Sequence, residues 1–166
     1  PYFPDIPALL SDLKTLLESR LLTNRGPLVI EFEAALKNFL NHGDKLHTVS
    51  FANGTLALEL LMRASNLKGK VIVPSFTFVA TVHSIMNVGL EPVFADIDPV
   101  TLCLSPESVE RLLETHKDVC AVMPVHVYGR VCDTEYFESL RKRNIKIFYD
   151  SAHAFGVKNG NDFIGA

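Results

Sequence analysis

The segment DSAHAFG at residues 150–156 contains the residues of this chain that are best placed to do chemistry. It follows an apolar run at 145–149 that predicts a buried parallel strand. An acid at the carboxyl end of such a strand points into the crevice where open α/β sheets bind ligands. A buried Asp150 needs a cation or a strong donor, and a protonated pyridine nitrogen, as in pyridoxal phosphate, is one such partner. The alternative is that Asp150 only caps the following turn.

A second chemical signal is the loop Asn53-Gly54-Thr55, which joins a predicted strand to a predicted helix. Glycine lets the backbone approach an anion, and the start of a helix offers free amides and the positive end of its dipole. The side chain of Asn53 or Thr55 could add a hydrogen bond to such an anion. The alternative is a helix cap, in which one of these side chains satisfies the free amides. The loop matches neither a Walker loop nor the Rossmann glycine motif.

Aromatic residues follow the next predicted strand, in the segment PSFTFVAT at residues 74–81. Phe76 and Phe78 lie beside small hydroxyl residues at the end of that strand. An aromatic ring in such a place could stack on a flat cofactor ring. The alternative is that both phenylalanines are ordinary core residues.

Asp96, Asp98 and His126 are the candidates for metal ligands. The Asp98-Pro99 step, followed by Thr101, favours a turn that closes a strand. A single histidine at a strand end is more often a structural hydrogen-bonding group, and no second ligand occurs at metal-binding spacing. We therefore predict a turn at Asp98, assign no role to His126 and expect no metal site.

The elements that must position these residues alternate between strand and helix from residue 47 onward. This alternation predicts an α/β fold, a three-layer α/β/α domain with a mainly parallel sheet. The predicted strands are 47–51, 70–74, 92–95, 119–125 and 145–149, and the predicted helices are 55–67, 78–88, 106–116 and 133–143. Two amphipathic helices, at 5–21 and from about 27 to 41, precede them and form an N-terminal helical arm over residues 1–46. Residues 156–166 predict the start of a hairpin.

Composition excludes several classes of function. The chain has 166 residues, a net charge of −3 and a sequence pI near 6.1, so no basic stripe is available to neutralise nucleic-acid phosphates. No apolar run approaches the roughly 20 residues of a membrane span, and no signal peptide is recognised. Three widely spaced cysteines fit reduced thiols better than a disulfide framework. These features predict a cytoplasmic protein.

Taken together, the motifs resemble a known family. The order of the NGT loop, PSFTFVAT, the Asp96-Ile97-Asp98 segment, PVHVYG at residues 124–129 and DSAHAFG is similar to that of the DegT/DnrJ/StrS-type sugar aminotransferases. These are pyridoxal-phosphate enzymes of the fold type I aspartate-aminotransferase group. The resemblance extends from about residue 26 to the end of the chain. It implies the large domain of a pyridoxal-phosphate-dependent transferase over residues 47–166.

The resemblance also implies roles for individual residues. Asn53, Gly54 and Thr55 would bind the cofactor phosphate, and Phe78 would stack on the pyridine ring. Asp150 would pair with the pyridinium nitrogen, and His153 would lie near the phenolic oxygen. Asp150 and His153 are therefore the candidate catalytic residues, and all six residues are candidates for binding pyridoxal 5'-phosphate.

The resemblance implies transamination of a keto-sugar nucleotide with an amino-acid donor such as glutamate, in a homodimer. In the family, the lysine that binds the cofactor covalently lies beyond the position matching residue 166, as do further strands and a small domain. We therefore expect a truncated large domain that is inactive alone and binds the cofactor weakly or not at all, because Lys158 matches nothing catalytic. Two alternatives are a sugar dehydratase, in which histidine replaces that lysine, and a non-catalytic binding or assembly remnant. A lysine shortly downstream in the reading frame would favour the aminotransferase.

Overall fold

The computed structural model describes residues 3–40, 47–160 and 162–164. The chain separates into two compact units, Pro1–Ser50 and Phe51–Ala166. The predicted arm ends at residue 46, and this exact domain boundary stays a prediction. No helix in the described residues is long and apolar enough to cross a membrane.

The described residues of the first unit form two helices, which the apolar periodicity predicted. Helix α1 is Ile6–Ser19 and helix α2 is Pro27–Leu40. Helix α1 begins at Asp5, whose carboxylate accepts a hydrogen bond from the Ala8 amide at 3.3 Å. It ends at Arg20, which adopts the left-handed conformation with a φ of 57°. Both helices end within about two residues of the predicted limits.

The predicted strand at 47–51 is wrong, because this segment is irregular in the structure. Its polar groups are bound instead by Glu33 of α2. The buried Glu33 carboxylate accepts hydrogen bonds from the Ser50 amide at 2.9 Å and from Arg25 at 2.8 Å, while the Thr48 hydroxyl donates to the Glu33 carbonyl at 2.7 Å. A strand needs backbone partners along its length. Here Glu33 of α2 supplies the hydrogen-bond partners instead of a neighbouring strand.

The second unit alternates between helices and strands as predicted. Its helices are α3 (Gly54–Ala64), α4 (Val79–Asn87), α5 (Pro106–Thr115) and α6 (Thr134–Ser139), which continues as a 3₁₀ turn over Leu140–Arg143. Its strands are β1 (Lys70–Pro74), β2 (Glu91–Ala95), β3 (Val119–Val122), β4 (Lys146–Ile147), β5 (Lys158–Asn159) and β6 (Asp162–Phe163). Strands β5 and β6 form the predicted antiparallel hairpin.

Strands β1 to β4 form one parallel sheet in the order β2-β1-β3-β4. Side chains alternate between the two faces of a strand, so each face of this sheet packs against its own pair of helices. One core cluster contains Val71 and Val73 of β1, Met62 of α3 and Ile85 of α4. The other contains Ile72 of β1, Val109 of α5 and Phe137 of α6. This is the predicted three-layer α/β/α arrangement.

The strand order reverses at β1. The chain runs from β1 to β2 on one side, whereas β3 lies on the other side of β1. In open α/β sheets a ligand binds in the crevice beyond the carboxyl ends of the strands at such a reversal. The topology therefore places a candidate site beyond the ends of β1 and β3, and the segment that follows β4 borders it.

Candidate active site

A cavity of about 610 Å³ lies at this reversal point. Five of the six predicted cofactor-binding residues line it: Gly54, Thr55, Phe78, Asp150 and His153. They come from the first turn of α3, the segment between β1 and α4, and the segment after β4. The sequence separates them by up to about a hundred positions, and the parallel sheet brings them to one crevice.

The Asp150 backbone is fixed on both sides by the neighbouring loop. Its amide donates to the Pro124 carbonyl at 2.9 Å, and its carbonyl accepts from the His126 amide at 3.0 Å. These two bonds continue the pairing of β3 and β4 as a parallel bridge between Val125 and Asp150. Strand β3 itself ends earlier than predicted, because Pro124 has no amide to donate to a ladder.

The Asp150 carboxylate accepts two hydrogen bonds. One oxygen, Oδ2, accepts from the Thr81 hydroxyl at 2.8 Å, and the other, Oδ1, accepts from the Ala152 amide at 3.2 Å. Within the described ranges no lysine or arginine forms an ion pair with it. Oδ1 of Asp150 therefore caps the following turn, which was the alternative role proposed for this residue. The carboxylate still has free lone pairs that can accept from a cationic ligand.

The start of α3 combines a helix cap with open space. The Asn53 side chain accepts a hydrogen bond from the Leu56 amide at 2.9 Å, so it caps the helix and does not line the cavity. A methyl group placed on Gly54 would meet no atom within 4 Å. The amides of the first helical turn have no acceptor inside the helix. The backbone at Gly54 and Thr55 is thus the part of this loop that an anion can approach.

Phe76 and Phe78 are not core residues, so the alternative considered from the sequence is wrong for both. Phe78 is 72% exposed and Phe76 is 42% exposed. Phe78 lies at the position before α4, in the wall of the cavity. The Phe76 ring packs edge-on against Tyr128, with 6.3 Å between the ring centroids.

His153 is held by Tyr128 in two ways. The two rings stack with their centroids 5.6 Å apart and their planes within 5°. The Tyr128 amide also donates to Nδ1 of His153 at 3.3 Å. Because Nδ1 accepts this hydrogen bond, the hydrogen of a neutral imidazole lies on Nε2. His153 can therefore donate a hydrogen bond from Nε2.

His126, to which no role was assigned from the sequence, is hydrogen-bonded within the protein. It is buried, its Nδ1 accepts from the Cys132 amide at 3.1 Å, and its ring stacks on Tyr149 with 5.1 Å between centroids. Burial lowers the pKa of His126, which keeps the imidazole neutral at pH 7.

The predicted turn at Asp98 is confirmed. One carboxylate oxygen of Asp98 accepts from the Val100 amide at 3.0 Å and from the amide and hydroxyl of Thr101 at 2.6 and 2.9 Å. These donors lower the pKa of Asp98, the Thr101 amide most of all. Asp96 forms an ion pair with Arg111 at 3.1 Å. The parts of the chain that the structure describes contain no cluster of three or more potential metal ligands.

Several residues of the cavity wall were not predicted from the sequence. They are Thr77, Tyr128, Tyr149 and Ser151, with Thr81 directly behind the wall. Thr77 and Thr81 lie four residues apart, on either side of the residue Phe78 that precedes α4, and their hydroxyl oxygens are 2.8 Å apart. That spacing was the available signal for a polar pair at this point.

Comparisons with known proteins agree with this geometry. A family model described as the DegT/DnrJ/EryC1/StrS aminotransferase family matches residues 6–166. The chain is 39% identical over 161 residues to a dTDP-4-amino-4,6-dideoxy-D-glucose transaminase of Shigella dysenteriae, covering 96% of this chain and 42% of that enzyme. It is 35% identical over 156 residues to a GDP-perosamine synthase of Vibrio cholerae, covering 92% and 41%.

A solved structure shares the fold. The crystal structure of DesI in the presence of its TDP-sugar product superposes with a TM-score of 0.92 at 36% identity, covering all of this chain and 41% of that one. The chain thus spans about two fifths of the length of each of these relatives.

Proposed function

The chain belongs to the DegT/DnrJ/EryC1/StrS aminotransferase family, and on this premise we propose that it supplies the cofactor-binding part of a sugar aminotransferase. The proposed reaction moves an amino group from an amino acid such as glutamate, through pyridoxal phosphate, to a keto-sugar nucleotide. One observation carries the proposal. Asp150, the open backbone at Gly54 and the exposed ring of Phe78 line a single crevice.

The residues of the crevice fit pyridoxal phosphate. The helix start at Gly54 and Thr55 has room for a phosphate and supplies amides and dipole for it. Phe78 offers an exposed aromatic face. Asp150 has no ion-pair partner among the described residues, so a pyridinium nitrogen would supply the cation. The cavity of about 610 Å³ is large enough for a small cofactor.

Each side chain then has a chemical task. When bound, pyridoxal phosphate supplies an electron sink for the substrate carbon next to the transferred nitrogen. Asp150 would hold the ring nitrogen in its protonated form, because a neighbouring carboxylate favours the charged form of a base. His153 would be able to donate from Nε2 to the phenolic oxygen, since its Nδ1 accepts from the Tyr128 amide. We propose that these 166 residues hold the cofactor weakly through such noncovalent contacts.

Amino transfer is tested with the full-length product of the gene. The assay supplies glutamate, pyridoxal phosphate and a keto-sugar nucleotide, and mass spectrometry follows the sugar product. Formation of an amino-sugar nucleotide with release of 2-oxoglutarate supports the proposal. Formation of a deoxy sugar with no amino transfer would indicate the dehydratase reaction instead. The curated relatives named above are a transaminase and a perosamine synthase, which favours amino transfer.

Phe78→Ala is expected to weaken binding of pyridoxal phosphate about two- to tenfold. This range corresponds to the roughly 0.5–1.5 kcal/mol that an aromatic stacking pair contributes beyond simple burial. Phe78→Tyr keeps the ring and should bind within about twofold of wild type. Absorbance titration with the cofactor measures both variants. Equal affinity of Phe78→Ala and wild type would contradict the stacking role.

We further propose that the protein forms homodimers. Helix α1 buries no side chain, and its apolar residues Leu9, Leu10, Leu13 and Leu17 are exposed. Exposed apolar patches of this kind mark association surfaces. Sedimentation velocity at micromolar concentration should show a dimer or a larger species, and Leu13→Glu with Leu17→Glu should shift it towards monomer. A monodisperse wild-type monomer would contradict the proposal.

A cytoplasmic location is also part of the proposal. Cys103, Cys120 and Cys132 carry free thiols in the structure. Free thiols are the state that a reducing compartment maintains.

A further inference from the structure

A hydrogen-bonded chain of three side chains runs from the start of α4 to the candidate site. The hydroxyl oxygens of Thr77 and Thr81 are 2.8 Å apart, and Thr81 Oγ1 lies 2.8 Å from Oδ2 of Asp150. Thr81 is fully buried, whereas Thr77 lines the cavity. The last bond joins residues 69 positions apart in the sequence.

The direction of each hydrogen bond follows from the chemistry of the groups. An ionised carboxylate only accepts, and a hydroxyl has a single proton to donate. Thr81 must therefore donate to Asp150, and Thr77 must donate to Thr81. A hydrogen bond to a charged acceptor is about twice as strong as a neutral one. The hydroxyl of Thr77 thus orients that of Thr81, which binds the carboxylate.

This use of a threonine differs from the local behaviour of hydroxyls in helices. Serine and threonine in a helix commonly donate to a carbonyl three or four residues earlier. Ser84, one turn further along α4, does so and donates to the Thr81 carbonyl at 2.7 Å. Thr81 instead directs its hydroxyl out of α4 to Asp150. The hydrogen bond from Thr81 therefore stabilises the Asp150 carboxylate and is not part of the hydrogen bonding within α4.

We propose that Thr81 is a positioning residue that fixes the Asp150 carboxylate in the orientation needed by the ring nitrogen of the cofactor. The inference rests on the proposed function. The other groups near the carboxylate are the Ala152 amide, which binds Oδ1, and His126, which is buried and neutral. Thr81 is thus the side chain that holds Oδ2.

The test compares Thr81→Val, which removes the hydroxyl at nearly constant shape, with Thr81→Ser, which keeps it. Titration of the protein with pyridoxal phosphate should show about a tenfold loss of affinity for Thr81→Val. The substitution removes a charge-assisted hydrogen bond to Asp150, and Asp150 in turn contacts the cofactor. Thr81→Ser should bind within about twofold of wild type. In an Asp150→Asn background, Thr81→Val should cause no further loss, because the two residues act as a unit.

A measurement without cofactor separates this inference from the proposed function. In a crystal structure of cofactor-free Thr81→Val, the Asp150 carboxylate should rotate from its wild-type position or occupy two positions. An unmoved carboxylate, or an equal loss of affinity in the Asp150→Asn background, would overturn the inference. If Thr81→Val does not fold, Thr77→Val provides the same comparison from the cavity side, with a smaller loss. Wild-type affinity in Asp150→Asn would overturn the proposed function, and the crystal structure would still decide the role of Thr81.

Discussion

Asp150→Asn is expected to weaken binding of pyridoxal phosphate by about 10- to 100-fold. The substitution keeps the size of the side chain and removes its charge. A hydrogen bond to a charged group contributes roughly 1.5–3 kcal/mol, and the ring nitrogen would lose the carboxylate that favours its protonation. The oxygen of an asparagine can accept from the Ala152 amide at the Oδ1 position, and its amide nitrogen can donate to the Thr81 hydroxyl oxygen at the Oδ2 position, so the fold should persist.

Absorbance titration with the cofactor measures this loss, and circular dichroism checks that the variant is folded. Asp12→Asn is the matched control, because it removes the same charge from an exposed position on α1. The control should bind as wild type does. Similar losses in Asp12→Asn and Asp150→Asn would show that only net charge matters, and would refute a specific role for Asp150.

Phe137→Ala should lower the free energy of unfolding by about 3–5 kcal/mol, the usual cost of removing a fully buried aromatic side chain. Phe137 lies on α6 and is fully buried in the cluster that contains Ile72, Val122 and Ile147. These three residues belong to β1, β3 and β4, the strands whose carboxyl ends form the crevice. A cavity at Phe137 therefore loosens the layer that supports the site.

Urea denaturation followed by circular dichroism measures the change in unfolding free energy. Phe94→Ala on β2 is the control, because the Phe94 ring is 55% exposed. It should lose no more than about 1 kcal/mol, as is typical for surface substitutions. A loss for Phe137→Ala as small as that of the control would mean that the described core is not the one that stabilises the protein.

The α/β layers could be predicted because strand and helix segments alternate along the chain, and because β1 is a short, continuous apolar run that is typical of a buried parallel strand. The strand predicted at 47–51 was wrong. Its residues have strand propensity, but their polar groups are bound by Glu33. Such capture by a distant side chain is a tertiary effect that a local pattern does not contain. The strand predicted at 119–125 was also too long, because Pro124 interrupts the backbone hydrogen bonding after β3.

Most of the candidate site was predictable from motif order. The loop at Gly54 and Thr55, Phe78, Asp150 and His153 all line one cavity. Thr81 was not found, because its partner Asp150 lies 69 residues away and nothing local indicates the contact. Asn53 illustrates the opposite case. Its residue type allowed either an anion contact or a helix cap, and the structure shows the cap.

The pairing of Asp150 with the cofactor can be tested at the ring nitrogen itself. Pyridoxal phosphate labelled with ¹⁵N at that position is bound to the protein, and the nitrogen chemical shift is recorded across a pH series in wild type and in Asp150→Asn. We expect the nitrogen to keep its proton to a higher pH in wild type than in Asp150→Asn. Identical titration of the nitrogen in both proteins would contradict the claim that Asp150 pairs with it.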